Sequence, residues 1–386
     1  MVRLGSDLLI ASHRLDGLRV GVVCNHASLD RGFRHVVDRL AAEGRCTLAA
    51  VFGPQHGFRS DVQDNMIETA HAEDAARRVP VYSLYSETRE PTGEMLRGLD
   101  VLVIDLQDVG ARIYTYIYTM ANCLRACARH GVPVVVCDRP NPIGGTAVEG
   151  ALLRPGFESF VGQYPIPVRH GMTIGELARL FNDRFGCGAT LEVVAMEGWT
   201  RDMHADATEL PWVMPSPNMP TLDTAIVYPG TVLFEGILVS EGRGTTRPFE
   251  LTGAPWIDAE RFAAGMNDLD LPGVYFRPAV FEPTFQKHAG ERCGGCQIHV
   301  TDRRAFRPVL TGVALAAAFR EADPARFAWR PPPYEYEHDL MPIDILAGSD
   351  TLRRQLEEGT PAARIAASWQ EDEERFRAER AEFLLY

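Results

Sequence analysis

The sequence predicts an α/β protein in which a parallel-sheet domain is followed by a smaller α+β domain. Short apolar, β-branched runs alternate with amphipathic helical patterns through the first half, which is typical of βαβ units. From about residue 206 the pattern changes to Pro- and Gly-rich segments with short strand-like runs. We therefore expect a boundary near residues 205 and 206.

The first half contains six strand candidates separated by helical patterns. The strands are predicted at residues 18–24, 47–52, 79–84, 101–106, 132–137 and 191–195, and the helices at 33–43, 92–98, 114–130 and 173–185. The last helix begins with a capping box, Thr173-Ile-Gly-Glu176, and Gly186 is its stop signal. Residues 1–205 therefore read as a Rossmann-like doubly wound domain.

The second half, residues 206–386, has weaker signals. Strands are expected at 274–277 and 297–301, and helices at 312–321 and 351–358. Residues 362–383 form a charged amphipathic pattern with a narrow apolar stripe, so we expect a terminal helix that packs on the surface.

Charge and cysteine content exclude several classes of protein. The 386 residues carry a net charge of -13, which disfavours nucleic acid as a partner, and no run approaches the roughly 18 apolar residues of a membrane helix. The first residues lack the pattern of a signal peptide, and most of the eight cysteines lie in apolar runs, so we expect a cytoplasmic protein. Cys293 and Cys296 lack a second ligand pair, which favours a structural role and predicts no metal site.

Polar residues follow four of the predicted strands. Because ligands bind outside the carboxyl ends of parallel strands, these residues are the first candidates for a site. A GxGxxG motif is missing after the first strand, and GxxxxGK[ST] and GxSxG motifs are absent, so we expect neither a nucleotide cofactor nor a serine nucleophile. The strand-end candidates are Gln55, His56, Asp105, Gln107, Asp108, Asp138, Arg139 and Asn141.

The composition of this rim suits a neutral polar ligand such as a sugar. The second half adds Asn218 in a rigid Pro-Ser-Pro-Asn loop and two loop glutamates, Glu235 and Glu241. Glycoside hydrolysis generally needs one carboxylic acid that protonates the leaving oxygen and a second carboxylate across the sugar. A cleft between the two domains is able to supply both.

Several blocks resemble the exo-β-N-acetylmuramidases of the NamZ type, long catalogued as a domain of unknown function. These blocks include GPQHGFR, DVLVIDLQDVGARIYTYIYT, DRPNPIGG, PIPVRHGMTIGELA and SEGRGTTRPFE, and the similarity runs from about residue 18 to at least 350. The resemblance implies a Rossmann-like domain, a smaller domain and an active-site cleft between them. It also implies hydrolysis of terminal, non-reducing N-acetylmuramic acid from small peptidoglycan fragments, without a cofactor.

One position departs from the family pattern. Much of the family has Pro-Glu-His-Gly where this chain has Gln55, and an amide cannot protonate a leaving group. Glu241 and Glu68 are therefore the candidates for the acid, whereas Asp105 and Asp138 are expected to orient the sugar or a water.

The remaining candidates are expected to bind substrate. Arg112, Arg139 or Arg243 is expected to pair with the lactyl carboxylate of muramic acid, because a guanidinium matches a carboxylate in bidentate fashion. The binding candidates are Gln55, His56, Gln107, Asp108, Arg112, Arg139, Asn141, His170, Asn218, Glu235 and Arg243.

Two alternatives stay open at this point. Gln55 is also compatible with a sugar-binding or sensing protein that has lost turnover, or with a glycosidase for another acidic amino sugar. In each case the expected partner is a small carbohydrate, such as a muropeptide or disaccharide fragment, and neither nucleic acid nor a membrane.

Overall fold

A seven-stranded sheet forms the centre of the first half. The structure is a computed structural model, and it describes residues 1–63, 66–75 and 77–386. The sheet order is β3-β4-β2-β1-β5-β6-β9, parallel except for the edge strand β3. Strands β7 and β8 pair separately. The strands are β1 (Arg19–Cys24), β2 (Thr47–Gly53), β3 (Ala72–Asp74), β4 (Val79–Ser83), β5 (Val101–Asp105), β6 (Val134–Cys137), β7 (Glu149–Leu152), β8 (Pro167–Arg169) and β9 (Leu191–Val194).

Helices cover both faces of this sheet. In β5, Val101 and Val103 belong to one apolar core, whereas Leu102 and Ile104 belong to another, as the two-residue period of a strand requires. Helices α1 (Gly5–Ala11) and α2 (Val36–Glu43) pack in the first core, and α3 (Tyr116–His130) and α4 (Ile174–Asp183) in the second. This is the doubly wound arrangement that the sequence predicts.

The second half combines a small antiparallel sheet with helices. Its strands pair in the order β10-β12-β11, and Cys293 and Cys296 are buried free thiols in β12. A 3₁₀ helix, Val232–Gly236, directly follows the α-helix that ends at Thr231. The elements are α5 (Leu222–Thr231), β10 (Leu251–Ala254), α6 (Ala259–Asn267), β11 (Val274–Phe281), β12 (Cys293–Val300), α7 (Pro308–Ala322), α8 (Pro342–Ala347), α9 (Thr351–Glu357), α10 (Ala362–Ala367) and α11 (Gln370–Arg380).

The six strands predicted in the first half are confirmed to within two residues, but two helix predictions are wrong. Residues 92–98 form turns, because glycines at 93 and 98 leave too short a stretch for a stable helix. The tail is two helices instead of one, and it is anchored in the core because Ile365 and Phe376 are fully buried. The capping box is confirmed, since Thr173 accepts from the Glu176 backbone N–H at 3.2 Å.

The chain end packs back on the central sheet. The Tyr386 hydroxyl donates to Asp138 at 2.7 Å, and Arg380 donates to the backbone carbonyl of His170 at 3.0 Å. The two halves therefore share an extensive contact. Among the described residues, no helix has both the length and the apolar composition needed to cross a membrane.

Candidate active site

A small polar cavity of about 50 Å³ lies where loops of both halves meet. From the first half it receives the loop after β2 and the residues before α3. From the second it receives the loop before α5, the 3₁₀ helix, the loop before β10 and a turn near residue 335. Its polar lining consists of Gln55, His56, Tyr114, Thr115, Tyr116, Ser216, Asn218, Tyr228, Glu235, Arg243, Tyr334 and Glu335.

Glu335 is a buried carboxyl group in this cavity, with 3% of its surface exposed. The Tyr85 hydroxyl donates to its Oε2 at 2.9 Å, and Gln55 Nε2 donates to its Oε1 at 3.4 Å. Burial raises the pKa of Glu335 to about 7, and the nearby charge of Glu235 adds to the rise. At neutral pH a large fraction of Glu335 therefore carries its proton.

Glu235, in the 3₁₀ helix, is a second buried carboxyl group in the same cavity. Arg243 Nη2 lies 2.6 Å from its Oε1, and the Tyr334 hydroxyl donates to its Oε2 at 2.6 Å. Burial alone would raise the pKa of Glu235, but the positive charge of Arg243 and the two hydrogen bonds outweigh burial and lower it. The cavity therefore contains one carboxyl group with a raised pKa and one with a lowered pKa.

Glu241 is buried beside the cavity and does not line it. Its carboxylate lies 2.5 Å from Lys287 Nζ and 3.2 Å from Arg243 Nε. Lys287 also donates to three backbone carbonyls, including that of Phe234 at 2.6 Å. Glu241 therefore balances two buried cations and contacts Arg243 at Nε, whereas Glu235 contacts it at Nη2.

Gln55 and His56 follow β2, where the sequence predicts binding residues. Gln55 Oε1 accepts from the Thr115 hydroxyl at 2.7 Å, which orients its amide so that Nε2 points to Glu335. His56 Nδ1 lies 2.8 Å from the Val62 carbonyl oxygen, and burial lowers the pKa of His56 to about 4. Its imidazole is therefore neutral at pH 7, with Nδ1 protonated and Nε2 left as an acceptor.

Asp105 and Asp138, at the ends of β5 and β6, do not reach this cavity. Asp105 forms a bidentate pair with Arg139, with nitrogen–oxygen distances of 2.6 and 2.9 Å. Asp138 accepts from Thr173 Oγ1 and the Gly175 backbone N–H, both at 2.8 Å, and it also accepts hydrogen bonds from Tyr386 and the Arg139 backbone. Both carboxylates hold loops and the start of α4 in place.

Most of the other predicted binding residues do not line this cavity, and several of them contact backbone groups. Arg112 is fully buried and donates to the carbonyls of residues 151, 166 and 346. Asn141 donates to the Met172 carbonyl at 2.9 Å, and His170 Nε2 lies 3.3 Å from Asp108. Gln107 and Arg139 line a different cavity. The structure therefore does not bring these residues to Glu335.

Two further predicted residues, Asn218 and Glu68, differ in their access to the cavity. Asn218 lines the cavity, and its side chain donates to the Gln63 carbonyl at 3.1 Å. The Glu68 side chain is 51% exposed, lies 3.6 Å from Arg89 Nη2 and does not line the cavity.

Glu335 and Tyr334 are not among the site residues that the sequence predicts. Both lie in a short segment after three prolines, Pro331-Pro-Pro333, about 280 residues from Gln55. A glutamate between two tyrosines after a rigid proline run is the signal that points to them, by the same reasoning that selects Asn218. Across residues 1–63, 66–75 and 77–386, no group of three His, Cys, Asp or Glu side chains is arranged to hold a metal ion.

Comparison with known proteins gives the family. Residues 20–223 match the family model described as the N-terminal part of exo-β-N-acetylmuramidase NamZ, and residues 226–386 match its C-terminal part. The peptidoglycan β-N-acetylmuramidase NamZ of Bacillus subtilis (strain 168) is 45% identical over 387 aligned residues, covering 100% of this chain and 91% of the relative.

Two crystal structures of DUF1343 family proteins from Bacteroides fragilis have the same fold. One superposes with a TM-score of 0.92 at 33% identity and the other with a TM-score of 0.76 at 28% identity, each covering 100% of this chain and 99% of the other. The sequence matches extend over both halves of the molecule, and so does the structural similarity. This chain belongs to the NamZ family of exo-β-N-acetylmuramidases.

Proposed function

We propose that this chain is an exo-acting β-N-acetylmuramidase, a glycoside hydrolase that removes N-acetylmuramic acid from the non-reducing end of peptidoglycan fragments. Family membership supports the activity. The observation that carries the chemistry is the pair of buried carboxyl groups in one cavity, because Glu335 has a raised pKa and Glu235 a lowered one. Two carboxyl groups with pKa values pushed apart are the acid and base arrangement that glycosidases use.

In this mechanism Glu335 is the general acid. Its proton passes to the glycosidic oxygen as the bond between that oxygen and the anomeric carbon breaks. Glu235 remains ionised beside Arg243 and stabilises the positive charge that develops on the sugar ring. Water supplies a hydroxyl group to the anomeric carbon, and its remaining proton restores the acid form of Glu335.

The other residues that line the cavity would bind the sugar. Gln55 holds Glu335 through its amide and leaves the proton transfer to that residue. Neutral His56, Asn218 and Arg243 offer acceptors and donors to the sugar substituents. Arg243 is the predicted lactyl-recognising arginine that lines the cavity, so it is our choice for that role.

We propose small substrates, soluble muropeptides or disaccharides, because the proposed reaction removes a single sugar from the non-reducing end and the polar cavity is small. We also propose a cytoplasmic location, because all eight cysteines are free thiols and reducing compartments preserve thiols.

Release of N-acetylmuramic acid from the disaccharide N-acetylmuramyl-β-1,4-N-acetylglucosamine tests the activity. The matched control is the β-1,4-linked disaccharide of N-acetylglucosamine, which lacks the lactyl group. We expect release from the muramyl substrate alone. We also expect the Arg243→Lys variant to lose activity on the muramyl substrate, and to lose more than an Arg→Lys variant at a position that does not contact the sugar. Release from the glucosaminyl disaccharide at an equal rate would contradict the muramidase assignment.

A sugar-binding protein without turnover is the second candidate, and Gln55 favours it because its amide cannot donate a catalytic proton. Calorimetric titration with the muramyl disaccharide separates the two candidates. Saturable binding with no released sugar over a day would support the binding protein, whereas release supports the hydrolase and identifies a working acid other than residue 55.

A further inference from the structure

A two-residue turn places Glu335 and a neighbouring tyrosine on different sides of the chain. Tyr334 and Glu337 exchange backbone hydrogen bonds of 2.9 Å, and the two residues between them, Glu335 and Tyr336, have φ angles of 46° and 68°. Such left-handed turns normally use Asn and Gly, so two large side chains here are strained. The turn buries Glu335 to 3% exposure and leaves Tyr336 at 45%.

Arg89 forms a stack with Tyr336 beside the acid. Its guanidinium carbon lies 4.5 Å from the centre of the Tyr336 ring and 4.3 Å from that of Tyr85, whose hydroxyl donates to Glu335. Phe160 adds a third ring at 5.6 Å. Guanidinium groups stack on aromatic faces in this way, and the contact fixes the position of both partners.

The guanidinium of Arg89 has donors to spare for a ligand. Among the described residues its nitrogens contact the backbone carbonyl of Ser86 and, at 3.6 Å, the exposed carboxylate of Glu68. An arginine carries five N–H donors, and this side chain is 22% exposed. The stack therefore combines an exposed aromatic ring with available donors, and Tyr85 links it to the proposed acid.

We propose that Tyr336 and Arg89 form the subsite for the leaving group, the amino sugar on the reducing side of the cleaved bond. The proposal rests on the proposed function. A general acid must lie beside the glycosidic oxygen, which joins the N-acetylmuramic acid to the leaving amino sugar. The cavity holds the muramyl ring on one side of Glu335. The leaving sugar then packs its apolar face on Tyr336, and its hydroxyl or acetamido oxygen accepts from Arg89.

Two substrates that differ only in the leaving group test this subsite. N-acetylmuramyl-β-1,4-N-acetylglucosamine presents a sugar to it, whereas methyl β-N-acetylmuraminide presents only a methyl group, and both release N-acetylmuramic acid. We expect Tyr336→Ala to lower kcat/KM for the disaccharide roughly tenfold. For the methyl glycoside we expect a change within about twofold. Arg89→Ala should act in the same direction, since it removes donors and the support of the ring.

Two control variants exclude a general effect. Tyr336→Phe keeps the ring and should retain the preference for the disaccharide. Tyr275→Ala removes another exposed tyrosine, on β11, and should leave kcat/KM unchanged for both substrates. Equal losses on both substrates would show that Tyr336 only supports the turn and would overturn the subsite. No loss on either substrate would also overturn it. Failure of the unmodified chain to release sugar from either substrate would instead refute the proposed function, and the subsite with it.

Discussion

Two regions of the molecule hold buried carboxyl groups, and they differ in access rather than in pKa. Burial raises the pKa of Asp138, at the end of β6, to about 7, and it raises that of Glu335 to about 7 as well. Asp138 is enclosed by four hydrogen-bond donors from loops and the chain end, whereas Glu335 has two side-chain donors and lines a cavity. A raised pKa shows that a carboxyl group is buried, but the group can protonate a substrate only if it also lines a cavity.

The same contrast in access to the cavity applies to a buried ion pair in each region. Asp105 and Arg139 form a pair that stabilises the ends of two strands, and neither lines the cavity of Glu335. Glu235 and Arg243 form a similar pair, but both line that cavity. Similar buried ion pairs can therefore hold the fold in one place and prepare a site in another.

Removing the acid proton at Glu335 should have the largest effect on activity. Glu335→Gln keeps the shape and the contact with Tyr85 but cannot donate a catalytic proton, so we expect kcat to fall roughly 10²- to 10⁴-fold. The assay is release of N-acetylmuramic acid from the disaccharide. Thermal unfolding should stay close to that of the unmodified chain.

The matched control for this variant lies in the same turn. Glu337→Gln makes the same chemical change two residues further along, at a side chain that accepts from the backbone N–H groups of residues 338 and 339. We expect it to retain activity. If Glu335→Gln and Glu337→Gln reduced kcat equally, the turn and not the carboxyl group would be responsible.

Asp105→Asn should affect stability instead of chemistry. The change leaves the buried Arg139 guanidinium without its carboxylate, and breaking such a pair costs about 3 to 5 kcal/mol. Urea unfolding measures this loss. Activity per folded molecule should stay within about twofold, and a large drop in kcat without a loss of stability would place Asp105 in the chemistry after all.

The fold is largely predictable from the sequence because its signals are local. Apolar β-branched runs give β1, β2, β5 and β6, and Thr173 and Glu176 mark the start of α4 by their spacing. The segment 92–98 has the same kind of local pattern but is too short and too rich in glycine to form a helix. Local signals therefore fail where a segment with the right pattern is too short and too rich in glycine for a stable element.

The candidate site is less predictable because it depends on which loops meet. The rule that ligands bind at strand ends selects Gln55 and His56, which line the cavity, yet it also selects Asp105 and Asp138, which do not. Glu335 reaches the same cavity from about 280 residues away, through a turn that no periodicity identifies. Long-range packing decides which polar residues come together.

The pH dependence of activity tests the protonation of Glu335. Since the acid form is the active one, kcat/KM should fall as the pH rises through about 7. In Gln55→Glu, a second carboxyl group would stand where the amide now donates to Glu335, and two adjacent carboxyl groups share a proton. The upper pKa of the pair should rise, which moves the alkaline limb up by roughly 1 to 2 pH units.

A neutral change at the same position separates charge from hydrogen bonding. Gln55→Leu removes the donor that lowers the pKa of Glu335 and adds no charge, so its alkaline limb should move in the same direction by a smaller amount. If neither variant moved the limb, the group that titrates in the profile would not be Glu335.

Glu68→Gln should have the smallest effect, and it tests the contrast between buried and exposed carboxylates directly. Glu68 is half exposed, and its 3.6 Å contact with Arg89 is a surface ion pair, which contributes little in water. We expect kcat and KM on the disaccharide to stay within about twofold. A large loss of kcat would mean that the loop after β2 folds over the bound sugar and brings Glu68 to the glycosidic oxygen. In that case access would be created by the substrate, and the cavity carboxyls alone would not define the site.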